Sequence, residues 1–263
     1  VRKARSLAAA DFSQVRAVFT DVDGTLTSPH QLLGSTLEAI EQLGADGIKV
    51  VLVTGRSAGW AECWLRQLPV EAVIAENGGV YWAKDADGHA HKIYAEPPRV
   101  RTANRRKLAR LVAQALKQVP GARLSHDSLY TEVDLAIDYN EEARLGLAGA
   151  ETLERWLRAR AVKAVRSSVH INCWLGDFDK ASMTRTFIRR EWGLTLQADD
   201  ARFVYVGDSF NDAPMFAAFP LSVGVANVRK VWKQLDATPA FVTGASYGKG
   251  FEELARAVRQ ARA

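Results

Sequence analysis

Short unbroken apolar runs alternate with stretches of helical period along the first third of the chain. Val15 to Phe19, Ile48 to Val53 and Val73 to Ala75 read as strands buried on both faces, since none shows the every-second-residue polarity of a half-exposed strand. Between them, Leu37, Ile40 and Leu43 mark one apolar helix face, with Ser35 as the expected N-cap and Gly47 as the stop. A second helix is predicted from Ala58 to Leu68, closed by Pro69. Buried strands alternating with helices predict a parallel sheet.

The pattern then changes. Arg99 to Val119 has a helical apolar stripe through Leu108, Leu111, Val112, Ala115, Leu116 and Val119. Leu129 to Tyr139 alternates with period two, as do Val169, Ile171 and Cys173 against Ser168, His170 and Asn172. Residues 145–160 form another helix. Period-two alternation marks strands with one open face, hence a mostly antiparallel sheet. The first pattern returns with a helix from Asp179 to Trp192, a strand at Phe203 to Val206, another at Leu221 to Val225 and a terminal helix from Phe251 to Val258. The expected fold is α/β, a Rossmann-like parallel-sheet core formed by 1–83 and 174–263, with an α+β domain, 84–173, inserted in it.

Composition changes this picture little. At 263 residues, 48% hydrophobic and 25% charged, the chain has ample core for two modest domains. No apolar run approaches the roughly 20 residues of a membrane-spanning helix, and the charged start, Val1 to Arg5, lacks the apolar segment of a signal peptide. The two cysteines, Cys63 and Cys173, have no metal or redox spacing. A cytoplasmic protein with reduced thiols is expected. The net charge of +5 is carried on helical faces such as Arg99 to Arg110. These lack the interleaved exposed aromatics of a nucleic-acid surface, but a basic balance suits small anionic substrates. No nucleic-acid or membrane partner is expected, and the chain is taken to act as a monomer or homodimer.

The candidate chemistry lies where predicted core strands end. Val18-Phe19-Thr20-Asp21-Val22-Asp23-Gly24-Thr25 places two carboxylates two residues apart, on one face of an extended segment. Two carboxylates that close repel and call for a cation. Mg²⁺, which binds through one or two carboxylates plus water and substrate phosphate, is the economical choice. The other strands end in Thr54-Gly55-Arg56 and Gly207-Asp208-Ser209-Phe210-Asn211-Asp212. In a parallel sheet these loops share one edge, the edge at which open α/β sheets bind ligands.

These loops resemble the haloacid-dehalogenase-like phosphatase superfamily. Asp21 to Thr25 matches its Asp-x-Asp-Gly-Thr motif, Thr54 its strand-end Ser or Thr, Lys180 its lysine, and Gly207 to Asp212 its Gly-Asp-x-x-Asn-Asp motif. Glu76-Asn77-Gly78-Gly79 and Val223-Gly224-Val225-Ala226-Asn227 look like the Cof-type branch, subfamily IIB, whose members carry an α/β cap where this chain has its insertion. The resemblance implies that Asp21 is the nucleophile and Asp23 the general acid and base. It implies Mg²⁺ held by Asp21, the Asp23 carbonyl and Asp208, with Asp212 supporting the metal shell. Lys180 would neutralise charge, Thr54 and Gly55 would bind phosphate oxygens, and Asn211 would hold the lysine or the shell. Arg56 could reach the substrate.

Four tryptophans, Trp60, Trp64, Trp156 and Trp174, raise sugar stacking as an idea. Spacing of four between Trp60 and Trp64 fits core packing at least as well. The cap's alternating strand offers His170, Asn172 and Ser168, and with them Arg166, as contacts for substrate hydroxyls. The expected activity is that of a Mg²⁺-dependent phosphatase of a small phosphorylated metabolite, a sugar phosphate by likeness to sucrose-phosphate, trehalose-phosphate and mannosyl-3-phosphoglycerate phosphatases. A sugar phosphomutase and a non-catalytic phosphate-binding regulator are the alternatives. The Asp21/Asp23 pair argues against the latter, because a pure binder needs no acid/base carboxylate.

Overall fold

A computed structural model describes residues 5–29, 31–167 and 169–262. In chain order the elements are β1 (Arg5–Ser6), β2 (Ala17–Thr20), α1 (Gly34–Ala45), β3 (Lys49–Val53), α2 (Ala58–Gln67), β4 (Ala72–Ala75), β5 (Val80–Lys84) and β6 (Ala90–Tyr94). Then come α3 (Pro98–Ala115), β7 (Arg123–Leu124), β8 (Leu135–Asp138), α4 (Gly146–Arg158), β9 (Lys163–Arg166) and β10 (His170–Trp174). The chain closes with α5 (Lys180–Trp192), β11 (Phe203–Gly207), α6 (Ala213–Ala218), β12 (Leu221–Gly224), β13 (Phe241–Val242) and α7 (Tyr247–Gln260).

Among the described residues the strands form two sheets. The larger has the order β1-β13-β12-β11-β2-β3-β4-β5-β6. It is parallel from β1 to β4, and β5 and β6 add an antiparallel edge. Its central strands bury both faces, as their unbroken apolar runs predict. Val18, Val50, Leu52, Val204 and Val206 pack on one side in a core that includes Ile40, Leu65 and Leu254 from α1, α2 and α7. Phe19, Val51, Val53, Phe203 and Tyr205 pack on the other with Phe187 of α5 and Phe216 of α6. Because β2 is central, its carboxyl end sits in the middle of the sheet edge, flanked by the ends of β3 and β11.

The smaller sheet, β7-β8-β10-β9, is antiparallel. One face carries Leu135, Ile137, Ile171 and Cys173 into a core shared with α3 and α4. The expected boundary at 84 coincides with the end of β5, and the hairpin β5–β6 continues the large sheet to Tyr94. The second sheet and its helices are built from 98–174.

Two local expectations are corrected. The strand expected over Leu129 to Tyr139 is limited to β8. Residues His126–Tyr130 form a 3-10 helix, and the amides of Glu132, Val133 and Asp134 go to the Glu76 carboxylate instead of a neighbouring strand. The N-cap of α1 is Leu33, and Ser35, inside the helix, donates its hydroxyl to Glu252.

Candidate active site

The residues singled out at the strand ends converge. Asp21 follows β2 directly and is buried, as are Thr54 after β3 and Asp208 and Asp212 after β11. Lys180 is the first residue of α5, a helix started by a reciprocal capping box. The Ser182 amide donates to Asp179 Oδ1 at 2.7 Å, and the Asp179 amide donates to Ser182 Oγ at 2.9 Å. A lysine at a helix N-terminus faces the positive end of the helix dipole. Here it is offset by carboxylates: Nζ lies 2.8 Å from Asp21 Oδ1 and 2.7 Å from Asp212 Oδ1, with Lys180 only 1% exposed. Gly78, at φ +95°, allows this helix start to meet the loop after β4, since a Cβ there would stand 2.1 Å from the Asp179 carbonyl oxygen.

The carboxylates differ in what holds them. Asp212 Oδ1 accepts from Lys180 and from the Tyr205 hydroxyl, and its Oδ2 from the amides of Asp208 and Ser209. Asp208 Oδ2 accepts from Asn227 Nδ2 at 2.8 Å, while its Oδ1 is buried with no hydrogen-bond partner among the described residues. Burial pushes the Asp208 carboxyl well above the ordinary value, and the charges of Asp21 and Asp212 push it further. Burial likewise raises Asp21 to about 8, against the pull of the Lys180 ammonium and with a further push from Asp212 and Asp23. Burial opposes the charge on Lys180, but Asp21 and Asp212 outweigh it and raise its pKa.

Asp23 is gripped by Arg56, whose Nε and Nη2 donate to its two oxygens at 2.9 and 2.8 Å. The same Nη2 donates at 2.7 Å to Glu141, a residue of the loop after β8. Glu141 is in turn 2.8 Å from His170 Nε2. The His170 contact, with Arg56 adding to it, holds the Glu141 carboxyl down at about 2. Burial would lower the Arg56 pKa, but Asp23 and Glu141 raise it above the usual arginine value. Bidentate charge-assisted pairs of this kind fix orientation as well as charge. Thr54 Oγ1 accepts the Arg56 amide at 3.0 Å, closing the turn that carries Gly55.

His170 and Asn172 reach the site from β10. With Val169 and Ser167 they line an enclosed space shared with Asp21, Asp23, Gly55, Arg56 and Asn211. Ser168 lies outside the described residues, as do the first four of the chain. Asn211 Nδ2 donates to Asn77 Oδ1 at 3.2 Å, and its Oδ1 accepts from Ser209. Beside Lys180 and Asn211 opens a cavity of about 540 Å³, lined also by Lys163, Arg166 and Trp174. Trp60 and Trp64 pack edge to face at 5.1 Å, and the Arg56 guanidinium lies 5.1 Å from the Trp60 ring. Trp60 remains partly exposed.

A divalent cation fits this donor set. Asp21, Asp208 and Asp212 offer oxygens within 4.8 Å of one another. Asp21, Asp208 and Asp212 gather three carboxylates around Lys180, whose single positive charge does not offset them at full ionisation. The orphaned oxygen on Asp208 is the kind of buried acceptor that a hard cation satisfies. Gly24, at φ +84°, leaves room for this carboxylate, because a Cβ there would lie 2.5 Å from Asp208 Oδ2. A second group, Asp85, Asp87 and His89, is exposed in the β5–β6 turn, where Asp85 accepts the amides of Asp87 and His89.

Sequence reasoning passed over Glu141, Tyr205 and the role of Glu76. Glu141 carries no motif, and only the placing of its loop over Arg56 brings it in. Glu76 is fully buried, and its carboxylate accepts the amides of Ala58, Glu132, Val133 and Asp134, so it joins the large sheet to the second unit.

The chain is similar to known proteins in sequence and in fold. A family model of haloacid dehalogenase-like hydrolases matches residues 18–101. The chain is 28% identical over 240 residues to a phosphoglycolate phosphatase of Methanosarcina mazei, covering 90% of this chain and 94% of that one. Its fold is similar to that of a Thermoplasma acidophilum protein, with a TM-score of 0.69, 20% identity and coverage of 94% and 99%. It is also similar to the C-terminal domain of Candida albicans trehalose-6-phosphate phosphatase, with a TM-score of 0.71, 14% identity and 99% coverage of both chains.

Proposed function

We propose that this chain is a haloacid-dehalogenase-like hydrolase of the phosphatase kind, and that it hydrolyses a small phosphorylated metabolite, a sugar phosphate, with Mg²⁺ and through an aspartyl-phosphate. The observation that carries this reading is the buried Lys180 ammonium, hydrogen-bonded at once to Asp21 and Asp212 at the carboxyl end of the central strand. Besides stabilising the fold, this contact holds a carboxylate, Asp21, beside the enclosed polar space that Asp23, Gly55 and Asn211 also line.

In this scheme an Asp21 oxygen attacks phosphorus and the bond to the leaving oxygen breaks, its electron pair staying with that oxygen. Asp23 gives the leaving oxygen its proton, then takes one from the water that cleaves the aspartyl-phosphate. Arg56 sets the orientation of Asp23, and Lys180 keeps Asp21 from being repelled by the phosphate. Thr54 and the Gly55 amide take phosphate oxygens, and Asn211 braces the loop after β4 through Asn77. Asp21, Asp208 and the Asp23 carbonyl would hold Mg²⁺, with Asp212 supporting them through its grip on Lys180 and on the Asp208 amide. When bound, the cation neutralises charge gathering on the phosphoryl oxygens.

The second unit acts as a cap, drawn from the sequence as 84–173 and by sheet membership as 98–174. His170 and Asn172 are its contributions to the site. Lys163 and Arg166 line the adjoining cavity, paired with Asp177 and Glu154, and a substrate acid exchanging with those partners gives a second substrate reading, a leaving group that carries a carboxylate, as in phosphoglycolate. We place the protein in the cytoplasm, where its two free cysteines stay reduced. Among the described residues no helix is long and apolar enough to cross a membrane. The test is phosphate release from p-nitrophenyl phosphate, a panel of sugar phosphates and phosphoglycolate, with Mg²⁺ and with chelator. Release with Mg²⁺ alone supports the reading, sugar-phosphate isomers without release would make it a mutase, and binding without either would make it a regulator.

A further inference from the structure

Asn172 is 1% exposed, and neither its Oδ1 nor its Nδ2 has a hydrogen-bond partner among the described residues. Buried amides seldom remain in that state unless a water, an ion or a ligand supplies the partners. Its neighbours on β10, Ile171 and Cys173, enter the core of the second unit, so the alternation of the strand turns Asn172 the other way. There it meets the phosphate-binding turn: a Cβ on Gly55 would stand 2.8 Å from Asn172 Nδ2 and 3.2 Å from Asn77 Oδ1. Only a glycine lets the amide come so close to that backbone.

The adjacent polar residue of the strand has a different fate. His170 is taken by Glu141, and Glu141 by Arg56. It belongs to the clamp that orients Asp23. Asn172 is the group left uncommitted, and the enclosed space it shares with Asp21 and Gly55 measures about 10 Å³. That is room for about one water-sized, oxygen-bearing group, and the company of Asp21 and Gly55 makes it the place for an oxygen of the group that Asp21 attacks.

We infer that Asn172 is a catalytic residue that donates through Nδ2 to an oxygen of the transferring phosphoryl group, and does not recognise hydroxyls of the leaving group. The phosphate site is then completed from two separate sheets, and transfer requires β10 to be seated on the core. This rests on the phosphatase reading, and the experiment separates the two. Asn172→Ala and Asn172→Asp are assayed in the full chain with p-nitrophenyl phosphate and Mg²⁺, and inorganic phosphate is titrated as inhibitor and, by calorimetry, as ligand.

The expected result is a fall in kcat/KM of about 10- to 100-fold for Asn172→Ala, with phosphate binding weakened about tenfold. Asn172→Asp should lose more, because a carboxylate would face the anion. Melting curves report whether either variant is folded, and if Asn172→Asp is not, Asn172→Ala carries the test. Unchanged p-nitrophenyl phosphate turnover and phosphate affinity, with losses only on sugar phosphates, would overturn the inference in favour of hydroxyl recognition. A lowered melting temperature with unchanged phosphate affinity would overturn it in favour of packing. If the wild type releases no phosphate from any monoester, the phosphatase reading fails, and the calorimetric loss still decides whether Asn172 binds phosphate.

Discussion

Replacing Lys180 with methionine tests the centre of the site through stability as well as activity. The change keeps the length of the side chain but removes a cation that lies within 2.8 Å of two carboxylates, one fully buried and one nearly so. Breaking a buried pair by removing one partner costs ~3–5 kcal/mol, because the remaining charge stays desolvated. At ~2–4 °C per kcal/mol for a chain of this size, the melting temperature in chelator at pH 8 should drop by about 6–20 °C. The loss should grow as pH rises above 8. Burial already raises Asp21 from 3.8 to about 8 with the lysine present, and without the ammonium it moves higher. Between 3.8 and 8 both proteins bind more protons folded than unfolded, and both lose stability alike as pH rises. Above 8 the wild-type carboxyl has given up its proton, while the variant still binds one and goes on losing stability. The Lys180 pKa is itself raised above 10.5, so its own contribution is constant across this window and is lost only at much higher pH. Thermal melts of wild type and Lys180→Met at about pH 7, 8 and 9.5 measure the difference directly. A destabilisation no larger at the highest pH than at the lowest, or none at pH 8, would refute the charge argument, and turnover within tenfold of wild type would refute the catalytic one.

Other expectations follow from the same contacts. Asp21→Asn conserves volume and should abolish turnover of p-nitrophenyl phosphate, and activity within tenfold of wild type would exclude the covalent route. Mg²⁺ should stabilise the wild type more at pH 8 than at pH 5.5, because the cation competes with protons for Asp21 and Asp208, both raised by burial. Asp208→Asn should weaken that Mg²⁺ effect in melts and in activity titrations, and an unchanged titration would move the cation elsewhere. Glu76→Gln should cost ~2–5 kcal/mol, since an amide –NH₂ cannot accept from the backbone donors that now share Glu76. Faster hydrogen exchange at residues 131–134 would locate the loss, and an unchanged melt would contradict it.

Much of the core was legible because its signals are local. A strand buried on both faces must be apolar without a break, and the loop that follows it must be polar. The runs ending at Asp21, Thr54 and Asp208 therefore predicted both the parallel sheet and the edge that Asp21, Thr54 and Asp212 share, while Lys180, at the start of a helix, was named only by the family resemblance. Period-two alternation likewise turned His170 and Asn172 away from Ile171 and Cys173. Alternation misled at Leu129 to Tyr139, where a buried carboxylate takes the amides and no strand forms before Leu135. The hairpin of β5 and β6 was also missed. Its strands sit at a sheet edge, and neither a fully apolar run nor a clean alternation marks them.

What the tertiary structure decided is the pairing of groups far apart in the chain. Nothing near Glu141 announces that it meets Arg56, 85 residues earlier, or that His170 completes the contact. The division of labour between His170, committed to a carboxylate, and Asn172, committed to none, cannot be read from a strand on which both simply alternate outward. Hydrophobic period fixes which way a side chain points, because burial is settled within one element. Which charge or amide it meets depends on how two sheets are set against each other, and that is a property of the packed chain alone.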